Sequence, residues 1–338
     1  MTDEAKVTCG NRECRVSENG KCVEGLELSA CPHFGKELEV DPATSDSETT
    51  PGLLLPSADM LSSADAADLV RSRIARVTAI VGPKGSGKTS LIASLYDLFQ
   101  EGAVAGVEFA RSETLHAFEL ACHDARSASR RGVPEMERTG FGEAKFYHID
   151  ISGAFAGPGL ALLLADRAGE EYRTATDDAG GVTQFPEVSR ADTLTVLVDG
   201  QRLSDTGARH NLRSEVIMIL QALKDGGSLR EGRRLLVVLT KMDIIAGLTD
   251  RPRAEADFAS LLATIREHFA DQFASIESCT VCASPKSDVL SRGTGLAAML
   301  KHWARAPALP QTAKVTVAPS ARAFSRFVAR QSSERANG

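Results

Sequence analysis

Between an apolar heptapeptide, ARVTAIV at 75–81, and a helix-forming run, SLIASLYDLF, lies Gly82-Pro83-Lys84-Gly85-Ser86-Gly87-Lys88-Thr89. Every fixed position of G-x4-G-K-[ST] is met, and the order strand, loop, helix is the one such a loop needs. Its glycines let consecutive backbone N–H groups converge on a phosphate at the positive end of the following helix. Lys88 then reaches β- and γ-phosphate oxygens, the Thr89 hydroxyl ligates Mg²⁺, and Ser90 completes the first turn. A glycine-rich turn with a chance lysine is the alternative, and it explains neither the strand before nor the helix after. The octapeptide predicts a nucleoside triphosphate site.

The rest of the chain is read around that loop. At 338 residues it has room for two domains, or one with appendages. Its 43% hydrophobic and 25% charged content is that of a globular protein. No apolar run approaches the roughly 18 residues of a membrane span, and the start, MTDEAKVTCG, lacks a signal-peptide core. A cytoplasmic protein with no transmembrane segment is expected. The net charge of -6 gives no strong nucleic-acid signal. Residues 1–50 carry 11 acidic and 5 basic side chains, a difference equal to that whole net charge, whereas 301–338 are basic. The pattern predicts a cysteine-rich module (1–38), a flexible acidic linker (39–66), a nucleotide domain (67–305) and a basic tail (306–338).

Within 67–305, apolar stretches at 75–81, 144–151, 160–166, 192–199, 234–240 and 279–283 alternate with helical patterns around 88–100, 208–224, 253–274 and 294–304. Strands separated by crossover helices predict a three-layer α/β fold with a mostly parallel sheet. Residues 61–75 read as a leading helix, and 100–143 as an insertion with short elements of its own.

Four of the seven cysteines, Cys9, Cys14, Cys22 and Cys31, fall in the first 31 residues, followed by His33. Zinc takes four thiolate or imidazole ligands, and a segment this poor in large apolar residues needs such a staple to fold. We expect structural Zn²⁺ on those cysteines, with His33 as a further candidate. A flexible cysteine-containing tail is the other reading. Cys279 and Cys282 read as strand cysteines rather than ligands, and Asp199 as a structural strand-end carboxylate.

Three segments bear on the nucleotide's identity. Asp166-Arg167-Ala168-Gly169-Glu170 follows the apolar LALLLA, so Asp166 can hold a Mg²⁺-bound water and the Gly169 N–H can reach the γ-phosphate. Strand RLLVVLT runs into Thr240-Lys241-Met242-Asp243. There Asp243 can accept from guanine N1–H and N2–H₂, groups adenine lacks, while the Lys241 stem covers the base and ties back to the phosphate loop. An unpaired Asp against adenine costs about 2–3 kcal/mol. Finally Ala283-Ser284-Pro285-Lys286 offers a backbone N–H to guanine O6.

With GPKGSGKT, DRAGE, TKMD and CASPK in this order on strand ends, the sequence over roughly 75–305 resembles the TRAFAC-class P-loop GTPases, translation-factor-related and Ras-like. GPKGSGKTSLI, FARSETLHAFELACHDAR, Arg138-Thr139, LLLADRAGEEY and the leading cysteines with CPHF are similar to the bacterial double-GTPase domains of conflict and defence systems. That resemblance implies a Ras-like fold and a GTP-dependent regulator that cycles between GTP and GDP with Mg²⁺ and acts on partner proteins. It makes Lys88, Glu170 and Thr139 the catalytic candidates, with Thr89, Asp166 and Thr139 as Mg²⁺ ligands. Glu170 stands where many family members carry Gln, which implies slow hydrolysis without a partner, and Arg138 is a lesser candidate for an arginine finger. Residues 171–181 are the implied second switch. A GTP-binding scaffold that does not hydrolyse, an ATPase of similar topology, and dimerisation across the nucleotide sites remain open.

Overall fold

The computed structural model describes residues 16, 27–34, 58–131, 142, 144–177, 185–230, 232–286 and 288–306. Cys9, Cys14 and Cys22, the Arg138-Thr139 pair, the end of the second switch and the basic tail lie outside the described residues. The chain divides into two compact units, 1–55 and 56–338. In the first, a 3₁₀ turn at Leu28–Ala30 leads into Cys31.

The second unit is built on seven strands: β1 (Ala75–Val81), β2 (Val107–Arg111), β3 (Lys145–Gly153), β4 (Gly157–Asp166), β5 (Thr193–Asp199), β6 (Arg233–Thr240) and β7 (Phe273–Thr280). They form one sheet in the order β2-β3-β4-β1-β5-β6-β7. From β4 to β7 every pairing is parallel. β2, β3 and β4 pair antiparallel, because β3 and β4 are joined by a short turn that leaves no length for a crossover.

The helices in chain order are α1 (Ser63–Ser72), α2 (Lys88–Glu101), α3 (Leu115–Arg131), α4 (Gly169–Asp177), α5 (Pro186–Arg190), α6 (Gly200–Ser204), α7 (Arg209–Asp225), α8 (Met242–Ala246), α9 (Arg251–Phe269) and α10 (Leu296–Ala304). Strand alternation distributes side chains to both faces: on β6, Leu235, Val237 and Leu239 join one core while Leu236 and Val238 join the other. Leu69 of α1, Tyr172 of α4, Val216 of α7 and Ile265 of α9 cover the first face. Leu91 and Leu95 of α2, Phe118 of α3 and Trp303 of α10 cover the second. Both faces being covered, β5 and β6 are buried throughout, which is why they read as unbroken apolar runs.

Three expectations are corrected. The segment 100–143 is not an inserted excursion over its described part, since β2 is the sheet's edge strand and α3 packs on α2. Phe118 stacks on Tyr96 with centroids 4.7 Å apart. The helix expected over 253–274 ends at Phe269, and the strand expected at 279–283 instead occupies Phe273–Thr280. The reason is shared: β7 is an edge strand, buried at Phe273 and otherwise exposed or half-buried, so it lacks the apolar run by which the inner strands are recognised. The leading helix expected over 61–75 spans Ser63–Ser72, opened by the reciprocal capping box of Ser62 and Asp65.

Candidate nucleotide site

The sequence-predicted residues converge at the carboxyl ends of β1, β4, β5 and β6, where parallel α/β sheets bind ligands. Gly85 (φ 74°) and Gly87 (φ 95°) adopt left-handed conformations that bring the loop round into α2. That helix opens at Lys88, with Thr89 and Ser90 in its first turn beside the loop. Lys88 is buried, and its Nζ donates to the Gly82 carbonyl at 3.0 Å and the Pro83 carbonyl at 3.5 Å. Burial lowers its pKa, while the carboxylates of Asp166 and Glu170 oppose that shift.

Asp166, buried at the end of β4, accepts the Thr89 hydroxyl at 3.1 Å. Gly169 lies against the loop: a Cβ there would sit 2.8 Å from the Gly82 oxygen, the Lys84 nitrogen and Lys88 Nζ. Only glycine permits that approach. Next to it, the Glu170 carboxylate pairs with Lys84 Nζ at 2.8 Å, and this hydrogen bond holds its pKa below the ordinary carboxylate value.

On the other side, the Thr240 hydroxyl donates to the Ser86 carbonyl at 2.9 Å and to the Val198 carbonyl at 3.3 Å. The tie back to the phosphate loop is thus made by Thr240. Lys241, expected to make it, instead places Nζ 2.7 Å from Asp199 Oδ2. Asp199 Oδ1 accepts the N–H groups of Gln201 and Arg202 at the start of α6, a structural role as expected. Asp243 is buried; its Oδ2 accepts the Lys286 N–H at 2.8 Å and its Oδ1 accepts the Cys282 thiol at 3.4 Å. Ser284 is exposed and Pro285 half-buried in the same loop. Burial, then the Asp243 charge, pushes the Cys282 thiol up to about 11, so it stays protonated and can donate.

Arg167 and Glu187 were missed by sequence reasoning. Arg167 is buried, its Nε 2.7 Å from Glu187 Oε1 and its Nη1 2.5 Å from Glu171 Oε2. It also donates to the Gly142 carbonyl, and its guanidinium lies 5.0 Å over the Phe185 ring. No local pattern signals the pair, since Glu187 lies 20 residues further along the chain.

Thr89 and Asp166 present a hydroxyl and a carboxylate to one point, hard oxygen donors of the kind Mg²⁺ takes, beside a cradle that a Cβ at Gly169 would fill. Among the described residues, no group of three or more His, Cys, Asp or Glu could hold a metal ion. Of the expected zinc ligands, only Cys31 and His33 are described.

A glycine-rich loop between an inner parallel strand and a helix, in a sheet ordered β2-β3-β4-β1-β5-β6-β7, is the arrangement of an α/β phosphate-binding-loop fold. The chain belongs to the Double-GTPase 2 family, whose model matches residues 76–304. It is similar in structure to the S. cerevisiae Ski7 GTPase-like domain bound to GTP (TM-score 0.40, 12% identity, 70% of this chain and 51% of that chain). It is also similar to the signal recognition particle receptor SRb-GTP/SRX complex from Chaetomium thermophilum (TM-score 0.40, 14% identity, 68% of this chain and 97% of that one). A third is Sup35 complexed with GDP (TM-score 0.33, 13% identity, 76% and 49%). The chain spans about half the length of the Ski7 and Sup35 chains. No curated protein matches it. No helix among the described residues is long and apolar enough to cross a membrane.

Proposed function

We propose that the chain binds GTP with Mg²⁺ and hydrolyses it slowly to GDP, acting as a switch toward partner proteins. The observation that carries this reading is the 2.9 Å bond from the Thr240 hydroxyl to the Ser86 carbonyl, which joins the base-reading strand end to the phosphate loop. In this reading Asp243 accepts from guanine N1–H and N2–H₂, and the Lys241 stem covers the base. The loop amides from Gly82 to Ser90 and Lys88 hold the phosphates. Thr89 and Asp166, with Thr139 as third candidate, hold Mg²⁺, which when bound offsets charge on the phosphate oxygens. Lys88 offsets charge developing on the β–γ bridge as water attacks the γ-phosphorus. Gly169 N–H meets a γ-oxygen and Glu170 orients the water.

Glu170 paired to Lys84 at 2.8 Å favours a second reading, a GTP-bound scaffold with negligible turnover. Single-turnover measurement separates the two: release of phosphate abolished by Lys88→Ala supports the switch, whereas bound and unchanged GTP supports the scaffold. For the amino-terminal unit we propose structural zinc on four ligands, Cys9, Cys14, Cys22 and Cys31, with His33 a further candidate. Less than one equivalent of zinc in unchelated full-length protein removes that proposal.

A further inference from the structure

We propose that a cavity between α1, α5 and the start of β6 is a second ligand site, taking a small amphipathic anion with an apolar body and one acidic head group. Its volume is about 560 Å³, within the range of small-molecule pockets. The lining includes Val77 near the start of β1, Asp192 just before β5 and Arg233 at the start of β6, whereas the phosphate and base-reading residues sit at the opposite, carboxyl ends of these strands. No residue named above for the nucleotide lines it.

One wall is apolar, made by Ala66 and Val70 of α1 with Val77 and Leu163 of the sheet. Val70 stays 44% exposed there, a β-branched side chain of a packed helix left facing open space. The opposite side is cationic. Arg190 and Arg230 are exposed, and Arg233 is buried. The Arg233 guanidinium donates to the Val188 carbonyl at 2.5 Å, to the Ser228 carbonyl at 3.3 Å and to the Ser189 carbonyl. All of these partners are neutral. Asp192 is the one carboxylate of the lining, and its Oδ2 already accepts the Val77 N–H at 2.9 Å. A buried guanidinium whose hydrogen bonds all go to carbonyls, with the single nearby carboxylate of Asp192 set against it and two more arginines at the rim, faces an apolar wall and suits an acyl or aryl carboxylate. A neutral lipid tail leaves the guanidinium groups unmatched, and a bare anion leaves the apolar wall wet.

The site is mechanically linked to the phosphate loop. Ser189 and Arg190, at the carboxyl end of α5, line the cavity. Glu187 of the same five-residue helix holds Arg167 of the D-R-A-G segment at 2.7 Å. A ligand seated against α5 therefore shifts the Arg167 anchor and with it Gly169. This second part rests on the guanine-nucleotide reading; the first does not.

The test is calorimetry of the full chain, without added nucleotide, against decanoate and against decan-1-ol. Decanoate is expected to bind one site, and decan-1-ol, lacking the charge, at least about tenfold more weakly. Arg190→Glu with Arg230→Glu, at exposed positions, and Ala67→Trp, which fills the cavity from α1, should each weaken decanoate by about tenfold or more. No decanoate heat, equal binding of the alcohol, or binding that survives both variants overturns the site. In protein loaded with fluorescent GDP, saturating decanoate should change the release rate at least about fivefold, the low end of the coupling seen between sites; an unchanged rate overturns the coupling. Failure to load any guanine nucleotide contradicts the proposed function instead, and calorimetry still decides the cavity.

Discussion

On the β5–β6 side of the phosphate loop, buried side chains are fastened largely to backbone groups. Thr240 bonds the Ser86 and Val198 carbonyls, and Asp243 accepts the Lys286 N–H. On the β4 side the contacts are between side chains, most of them charged: Thr89 to Asp166, Lys84 to Glu170, and Arg167 to Glu187 and Glu171. Backbone-anchored contacts hold one geometry more firmly, because the backbone partner has no rotamer to change. Exchangeable ion pairs have alternatives, and in the proposed function a γ-phosphate competes for Lys84. On that proposal the β5–β6 side would discriminate the base and the β4 side would respond.

The largest expected effect breaks the anchor of the responsive side. Arg167→Met leaves Glu187 buried without its cation, holding only the Tyr172 hydroxyl at 3.4 Å among the described residues, and chemical denaturation should show a loss of about 3–5 kcal/mol. A loss below about 1 kcal/mol means Arg167 is not the anchor. Asp243→Ala comes next: the ratio of guanine to adenine nucleotide affinity should fall by about 2–3 kcal/mol, read by competition with fluorescent nucleotides, as guanine binding weakens and the penalty on adenine is relieved. A third variant, Thr240→Val, keeps the shape and removes the tie to Ser86. It should weaken both nucleotides by about 1 kcal/mol without altering their ratio, and a changed ratio argues that the tie reads the base.

The smallest effect concerns pH. The Glu170 pKa is lowered in the folded chain, so its pair with Lys84 contributes fully above the unfolded value of about 4.3 and is lost as pH falls through the folded value. Stability of wild type and Lys84→Ala should therefore differ by a constant amount from pH 8 to pH 5 and converge only as pH falls below the unfolded value and through the lowered folded one. A difference that changes between pH 6 and 8 assigns the titration to another group.

Much of this arrangement was legible beforehand. The phosphate loop and the strand ends at Asp166, Asp199 and Thr240 stand where apolar runs stop, because strands buried on both faces leave an unambiguous trace. The edge left no such trace. β7 is half-exposed and was read too late in the chain, while β2 and α3 looked like an insertion because a short edge strand carries little apolar signal. Lys241 was assigned the tie that Thr240 makes, since spacing places both at the strand end and cannot say which way a side chain turns. Arg167 escaped because its partner Glu187 lies 20 residues away, beyond the reach of any local pattern.

The most direct test of the central claim, guanine recognition at Asp243 joined to phosphate binding at the Lys88 loop, is side-by-side calorimetry of the full chain with GTP and ATP in Mg²⁺. Binding of GTP at least about 30-fold tighter than ATP, with both abolished by Lys88→Ala, is the predicted result. Equal affinities for the two, or no heat from either, contradicts it.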